Sequence, residues 1–394
     1  MYKKIVFALC GCLLSIGVIA QSNDVESILQ GVEKNNKELQ AYQSYIDSKK
    51  LELKSTNNLP DPQLGAYYLP FGEHNTGDYS EFQISQTIEF PTVYGAKSKL
   101  IESQSQQLQF NYSVKRQEIL SQAKKLCLEL TYLDKQKNVE QERLQRSKTV
   151  FEQAQELYAK EEKSALEFNK AKVAWMQQQF EVQQIESDQQ NILLSLKNLN
   201  GDVDIIWNSP VYATDLTISD RDSLWQAKLA KDPELQMIQQ QELMAQQTLK
   251  VAKSKSLPDL SLGYNYQGVQ GSNYSGVYGG ISIPLWSNKN KVQAAKSNLQ
   301  YQTANSESDQ STIRVNFDKQ YNEYSMLLLK YNEYQKTLTG LNSGELLLKA
   351  YQQGEISFME YYIELNFYND AYDAMLIVEN QLHQRKSQLL KHQL

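Results

Sequence analysis

The side chains whose grouping suggests work beyond folding are carboxylates. Between Ala350 and His383 stand Glu355, Glu360, Glu364, Asp370, Asp373 and Glu379, with no Lys or Arg among them. Glu360 and Glu364 lie one helical turn apart, a like-charge pair that costs a few tenths of a kcal/mol and gains nothing locally. Glu167, 193 residues before Glu360, is its counterpart in an earlier stretch of similar sequence. Repeated around an axis, Glu360, Glu364 and Glu167 would ring a narrow opening, attract cations and gate it by mutual repulsion. The alternative is a solvated helix face, with Glu167 paired to Lys170 three residues on. Catalysis has no comparable support. His74, His383 and His392 are far apart, and there is neither a Ser/His/Asp grouping nor a Gly-rich phosphate loop. Met237 and Met244 share a helix face, a spacing that suits core packing rather than a metal site. The sequence therefore implies no enzyme, no cofactor and no metal site.

The elements that must hold these acids come in duplicate. Leu59-Pro60-Asp61-Pro62-Gln63-Leu64-Gly65-Ala66-Tyr67-Tyr68 is echoed by Leu257-Pro258-Asp259-Leu260-Ser261-Leu262-Gly263-Tyr264-Asn265-Tyr266. Upstream of each lies a polar helical run containing Glu-Leu-Gln, with Asn36 placed to cap the first and Asp232-Pro233 to open the second. Proline disfavours helix at the residue before it, so each Leu-Pro-Asp stops a helix and starts a hairpin. The first hairpin spans Gln63 to Glu89. In its return strand Phe82, Ile84 and Ile88 alternate with Glu81, Gln83, Ser85 and Thr87, and the second hairpin repeats the pattern, turning between Gly268 and Asn273.

An apolar-Pro pair follows each hairpin (Phe90-Pro91, Ile283-Pro284), and then a very long helical run. From Ala96 to Asn200 there is no Gly or Pro in 105 residues. A helix from Ala96 to Lys160 would be about 95 Å long, too long to bury itself in a compact domain. Its apolar residues are thinly spaced (Leu100, Leu108, Tyr112, Ile119, Leu126, Leu130, Leu133), which suits narrow coiled-coil seams against neighbours. Each long run has a matched interruption. Tyr158, Glu161, Ser164 and Glu167 line up with Tyr351, Gly354, Ser357 and Glu360 at a constant offset of 193, as tight turns with Ser164 and Ser357 capping the return helices.

The expected layout is a signal peptide over residues 1–20 and two structural repeats. The first covers 21–208, with hairpin 63–89, long helix 96–160 and return helix 164–199. The second covers 209–394, with hairpin 259–284, long helix 288–350 and return helix 357–391. The signal is read from Lys3 and Lys4, the apolar run Ile5 to Ile19 and the small-residue exit at Ala20. Leu9-Cys10-Gly11-Cys12 has the form of a lipoprotein box, but the apolar run continues past it, so cleavage near Gln21 is expected. The remaining chain carries 38 basic and 46 acidic residues, a net charge of −8 that excludes a nucleic-acid footprint. Cys127 is then the lone thiol, flanked by Leu126 and Leu128 as a small core residue.

No other apolar run approaches the ~20 residues of a transmembrane helix, so membrane entry would have to be as β-structure. Four alternating strands suit an outer membrane, or else a small soluble sheet. In lipid they could not close a barrel alone; three copies would supply twelve strands and, with their helices, a continuous tube. Phe90, Tyr94 and Trp286 at the helix-proximal strand ends suit an aromatic interface belt.

The whole mature chain resembles the TolC family of outer-membrane efflux and secretion ducts. The duplicated order of helix, hairpin, long helix, Tyr-x-x-Gly-x-x-Ser turn and return helix carries the likeness. Pro60-Asp61-Pro62-Gln63-Leu64 and Ile84-Ser85-Gln86-Thr87-Ile88-Glu89-Phe90-Pro91 are most similar to the heavy-metal (cation) efflux branch. The resemblance implies a mainly α protomer with a β-barrel part, and a homotrimer whose twelve-stranded outer-membrane barrel continues into a periplasmic α-helical barrel. It further implies an adaptor (membrane fusion) protein and an inner-membrane efflux pump as partners. Tyr158, Ser164, Tyr351, Gly354 and Ser357 would form the docking tip, although Glu161 stands where the family has Gly. The expected function is passive exit, with heavy-metal cations as cargo. Drug efflux or type I secretion are alternatives within the fold, and a soluble periplasmic coiled-coil adaptor is one outside it.

Overall fold

A computed structural model describes residues 24–70, 77–208, 211–269, 271–341 and 343–394. The signal segment 1–20, its cleavage point at Gln21, the hairpin loop with His74, and Pro210 lie outside the described residues. Nine helices and four strands are described: α1 (Asp24–Asn35), α2 (Lys37–Ser55), β1 (Gln63–Leu69), β2 (Tyr79–Ile88), α3 (Pro91–Ala159), α4 (Ala165–Leu199), α5 (Arg221–Lys231), α6 (Pro233–Ser254), β3 (Asp259–Val269), β4 (Ser272–Ser282), α7 (Lys291–Leu338), α8 (Ser343–Gln352) and α9 (Phe358–Leu389). A 3₁₀ turn, Lys391–Gln393, closes the chain.

The helices stand side by side as a wall. α3, at 69 residues roughly 100 Å long, packs against α2, α4, α6 and α9, and α7 packs against α6 and α9. α2 meets the end of α4 through Asn36, whose side-chain amide donates to Leu199 O at 2.8 Å while its oxygen caps α2 at Leu39 N. No single core exists among the described residues. One apolar cluster joins α1, α2, α3 and α4 around Leu39, Cys127, Leu130 and Leu196. A second joins α5, α6, α7 and α9 around Trp225, Leu235, Phe317 and Leu382. A third, near the far tip, gathers Val150, Ala171, Tyr351, Phe358 and Tyr361. Full burial of such a side chain is worth about 1.5–3 kcal/mol, so three small clusters hold a long wall together in places. The connector after α4 is strapped down by Trp207, whose indole N–H donates to Asp134 at 2.7 Å, and by Tyr212, stacked on His383 at 4.1 Å.

The strands form one antiparallel sheet in the order β1-β2-β3-β4, with β2 pairing β3 from Tyr79↔Val269 to Ile88↔Leu260. Cross-strand register puts Leu64, Phe82, Ile84, Leu262, Tyr264, Val277 and Ile281 on one face, all exposed. The opposite face is polar. There the Gln83 amide donates to Tyr278 Oη at 2.7 Å and the Asn265 amide to Glu81 at 2.9 Å. β1 and β4 each have one edge unpaired among the described residues.

Several boundaries differ from the sequence reading. The long helix expected over 96–160 begins at Pro91, because proline fits the first helical position without loss and Phe90 serves as N-cap. The one expected over 288–350 is two helices. α7 starts only at Lys291 and ends at Leu338, capped by Thr339, after which Gly340 takes φ +86° before α8 begins. In the first copy Ser147 stands at that place and α3 runs on. The short helix that the sequence offers from Asp24 to Gly31 runs on to Asn35, since one mid-helix Gly costs only about 1 kcal/mol and Val32 is fully buried. The second hairpin is tighter than expected, with the ladder running on to Val269↔Ser272.

Candidate channel entrance

At the tip of the wall the chain reverses twice. After α3, Glu161 N–H donates to Tyr158 O and Glu162 N–H to Leu157 O at 2.9 Å. After α8 the same bonds recur, Gly354 to Tyr351 O and Glu355 to Ala350 O at 3.0 Å. Glu161 (φ 61°) and Gly354 (φ 74°) share the left-handed conformation, so Glu161 copies the glycine turn at a steric cost. Ser164 caps α4 by accepting from Glu167 N, and Ser357 caps α9 by accepting from Glu360 N, both at 3.3 Å.

The acids fall into two groups. Glu360 closes a capping box by accepting from Ser357 N at 2.8 Å, and that backbone bond holds its carboxyl below the usual range. Glu355, Glu360, Glu364 and Asp370 are all exposed, without a cation partner among the described residues. Glu167 is half-buried and lies 3.6 Å from Lys163, not beside Lys170 as the spacing allowed. Asp373 and Glu379 belong elsewhere. Arg143 of α3 binds Asp373 at 2.9 Å and Glu140 at 2.5 Å, and Lys135 binds Glu379 at 2.7 Å. The acidic run is thus partly neutralised from α3. Glu140 and Arg143, at positions i and i+3 of a polar helix, are the sequence signal of that tie.

The tyrosines of the two turns differ. Tyr351 is 5% exposed, packed edge-on to Phe358 and beside Tyr361. Tyr158 is 44% exposed, and leads a stack of rings running through Phe168 (5.2 Å) and Phe151 (5.8 Å) to Trp175 (4.8 Å). At the sheet end, Trp286 is 81% exposed on the loop after β4. Phe90 is half-buried, and Tyr94 Oη accepts from Glu89 N at 3.2 Å. Cys127 is fully buried and burial pushes its thiol up to about 12, so it is inert. No group of three or more metal-ligating side chains converges, and no helix is long and apolar enough to cross a membrane, among the described residues.

A four-stranded sheet with two open edges stands on a helical wall of about 100 Å. Solved structures share it across nearly the whole chain. CusC, described for folding and transmembrane channel formation, superposes with TM-score 0.78 at 12% identity, over 94% of this chain and 91% of its own. VceC, an outer membrane protein of Vibrio cholerae, gives 0.77 at 13% identity, covering 93% and 95%. The CmeC outer membrane channel of Campylobacter jejuni gives 0.71 at 15%, covering 94% and 85%. No family model and no curated protein sequence matches this chain. At these identities the likeness is one of fold, and the fold is the one the sequence resembled.

Proposed function

We propose that the chain is one third of a trimeric outer-membrane exit duct in a tripartite efflux system, exported through its 1–20 signal. Three sheets form a twelve-stranded barrel, apolar face to lipid, and the helices form a periplasmic tube. The turns around Tyr158, Ser164, Tyr351, Gly354 and Ser357 meet an adaptor that links the duct to an inner-membrane pump. The duct performs no chemistry.

The observation that carries this reading is the pair of free edges. α4 packs mainly on α3, reaching α9 near the tip where Ala171 joins Phe358 and Tyr361, and it carries an exposed seam of period seven: Leu166, Val173, Phe180, Ser187, Leu194. α7, at the opposite edge, presents Tyr301, Ser308, Val315, Asn322 and Leu329, again at sevens, with Met326 beside them. Their apolar members are 48–64% exposed in α4 and 47–66% in α7. Two seams of one period on opposite edges match a head-to-tail contact that closes into a ring. Heights agree as well. Gln189 bonds Asp134 of α3, whose neighbour Lys135 binds Glu379, to which Tyr331 also donates, so Gln189 and Tyr331 are level. The antiparallel seams then bring Leu194 opposite Met326 of the next copy.

Metal cations are the cargo this reading favours, because Glu360 and Glu364, tripled with Glu167, present a carboxylate ring at the tip. Glu360→Lys is expected to lower single-channel conductance and cation selectivity in planar bilayers. Unchanged values would remove the ring assignment.

A further inference from the structure

The two halves leave the sheet differently. After β2 the chain enters α3 at once, with Phe90 half-buried and Val93 1% exposed. After β4 it makes an irregular loop, Ile283 to Asn290, that exposes Ile283 (58%), Leu285 (68%) and Trp286 (81%) just beyond Ile281 of the apolar face. The loop is braced rather than loose: Lys289 N–H donates to Trp286 O at 3.1 Å, and the Asn288 side-chain amide donates to Lys255 O at the end of α6.

The stretches flanking that apolar tip are basic, with Asp259, paired to Ser282, beside them. From Leu243 to Pro258 and from Ile283 to Ser306 the chain carries Lys250, Lys253, Lys255, Lys289, Lys291 and Lys296 and no acid, within a chain of net charge −6. All six are exposed, and Glu89, 3.4 Å from Lys255, is the acid that touches the group. An indole and two aliphatic side chains at the rim of a lipid-facing sheet, bordered by ammonium groups on the aqueous side, complement a phospholipid headgroup layer. The apolar part reaches acyl chains and the lysines reach phosphates.

We infer that the Ile283–Asn290 loop is a membrane anchor, one per protomer, which binds anionic phospholipid in the leaflet on the helical side. The inference rests on the outer-membrane reading above. It sets the height of the barrel in the bilayer from the second half of each chain alone.

The test is bromolipid quenching of tryptophan in vesicles containing the full-length channel. The other tryptophans, Trp175, Trp207 and Trp225, lie in α4, the connector and α5, away from the sheet. Trp286→Phe, at an exposed site, should leave conductance unchanged and abolish quenching. Brominated phosphatidylglycerol should quench wild type at lower mole fraction than brominated phosphatidylcholine. A lysine near an anionic surface contributes about fivefold in association at low salt, so Lys253→Gln, Lys289→Gln and Lys291→Gln together should bring the two lipids together. Normal channels whose quenching survives Trp286→Phe, or which quench equally with both lipids before mutation, overturn the anchor alone. A wild type that forms no channels in vesicles sinks the duct and the anchor with it.

Discussion

Leu194→Ala isolates the contact between copies. Leu194 is 64% exposed in the single chain and points away from α3, so truncation leaves no cavity within the protomer. Alanine is also the better helix former, which keeps α4 intact. Burying a leucine completely is worth about 1.5–3 kcal/mol, so covering the exposed part against Met326 and Leu329 of a neighbour contributes roughly 1–2 kcal/mol per contact. A closed ring repeats the contact three times, so the variant should lose roughly 3–6 kcal/mol of assembly energy, about two to four decades in the monomer–trimer constant. Sedimentation over a concentration series in detergent reads that constant, and far-ultraviolet melting at high concentration checks the fold. A trimer as resistant to dilution as wild type would refute the seam.

Glu161 and Gly354 offer a paired test at the tip. Glu161→Gly relieves a left-handed residue and should stabilise its turn by roughly 0.5–1 kcal/mol, after allowing for glycine's extra chain entropy. It should read as slower hydrogen exchange at Glu162 N–H. Gly354→Ala, with nothing within 4 Å of the new methyl, should speed exchange at Glu355 N–H by strain alone. His383 predicts acid sensitivity. Burial, and then Lys135 and Lys386, lower its pKa from 6.5 to about 4. A group depressed in the folded state stabilises fully above its unfolded pKa and loses that contribution as pH falls from 6.5 to about 4, here up to about 3 kcal/mol. Denaturant titrations across that window should show the loss in wild type and a flatter profile in His383→Phe; parallel profiles would exclude His383 as the source.

Much of this architecture was legible because it rests on local rules. Asn36, Asp232, Ser164 and Ser357 cap the helices their side chains suggested, and Leu-Pro-Asp ends each preceding helix. What escaped was set by distant partners. The acids Asp373 and Glu379 looked free because Arg143 and Lys135 are more than 200 positions away. The split of the second long helix turns on Gly340, where one residue without a side chain outweighs an otherwise continuous helical pattern. Glu167 chose Lys163 over Lys170 because the cap at Ser164 brings the turn's lysine alongside. Tyr94 carries the right chemistry for an interface, yet its hydroxyl also accepts from Glu89 N, a contact that alternation along a strand does not encode.

The central claim is that identical chains complete one cylinder, and intermolecular crosslinking tests it most directly. Leu194→Cys and Met326→Cys sit on opposite edges of the wall, too far apart to join within one chain, and Cys127 is too buried to compete. Oxidation in isolated outer membranes should give covalent dimers and trimers, with the ladder stopping at three because the ring is closed. A ladder that continues past three, or a double variant that stays monomeric in every fraction, would contradict the account.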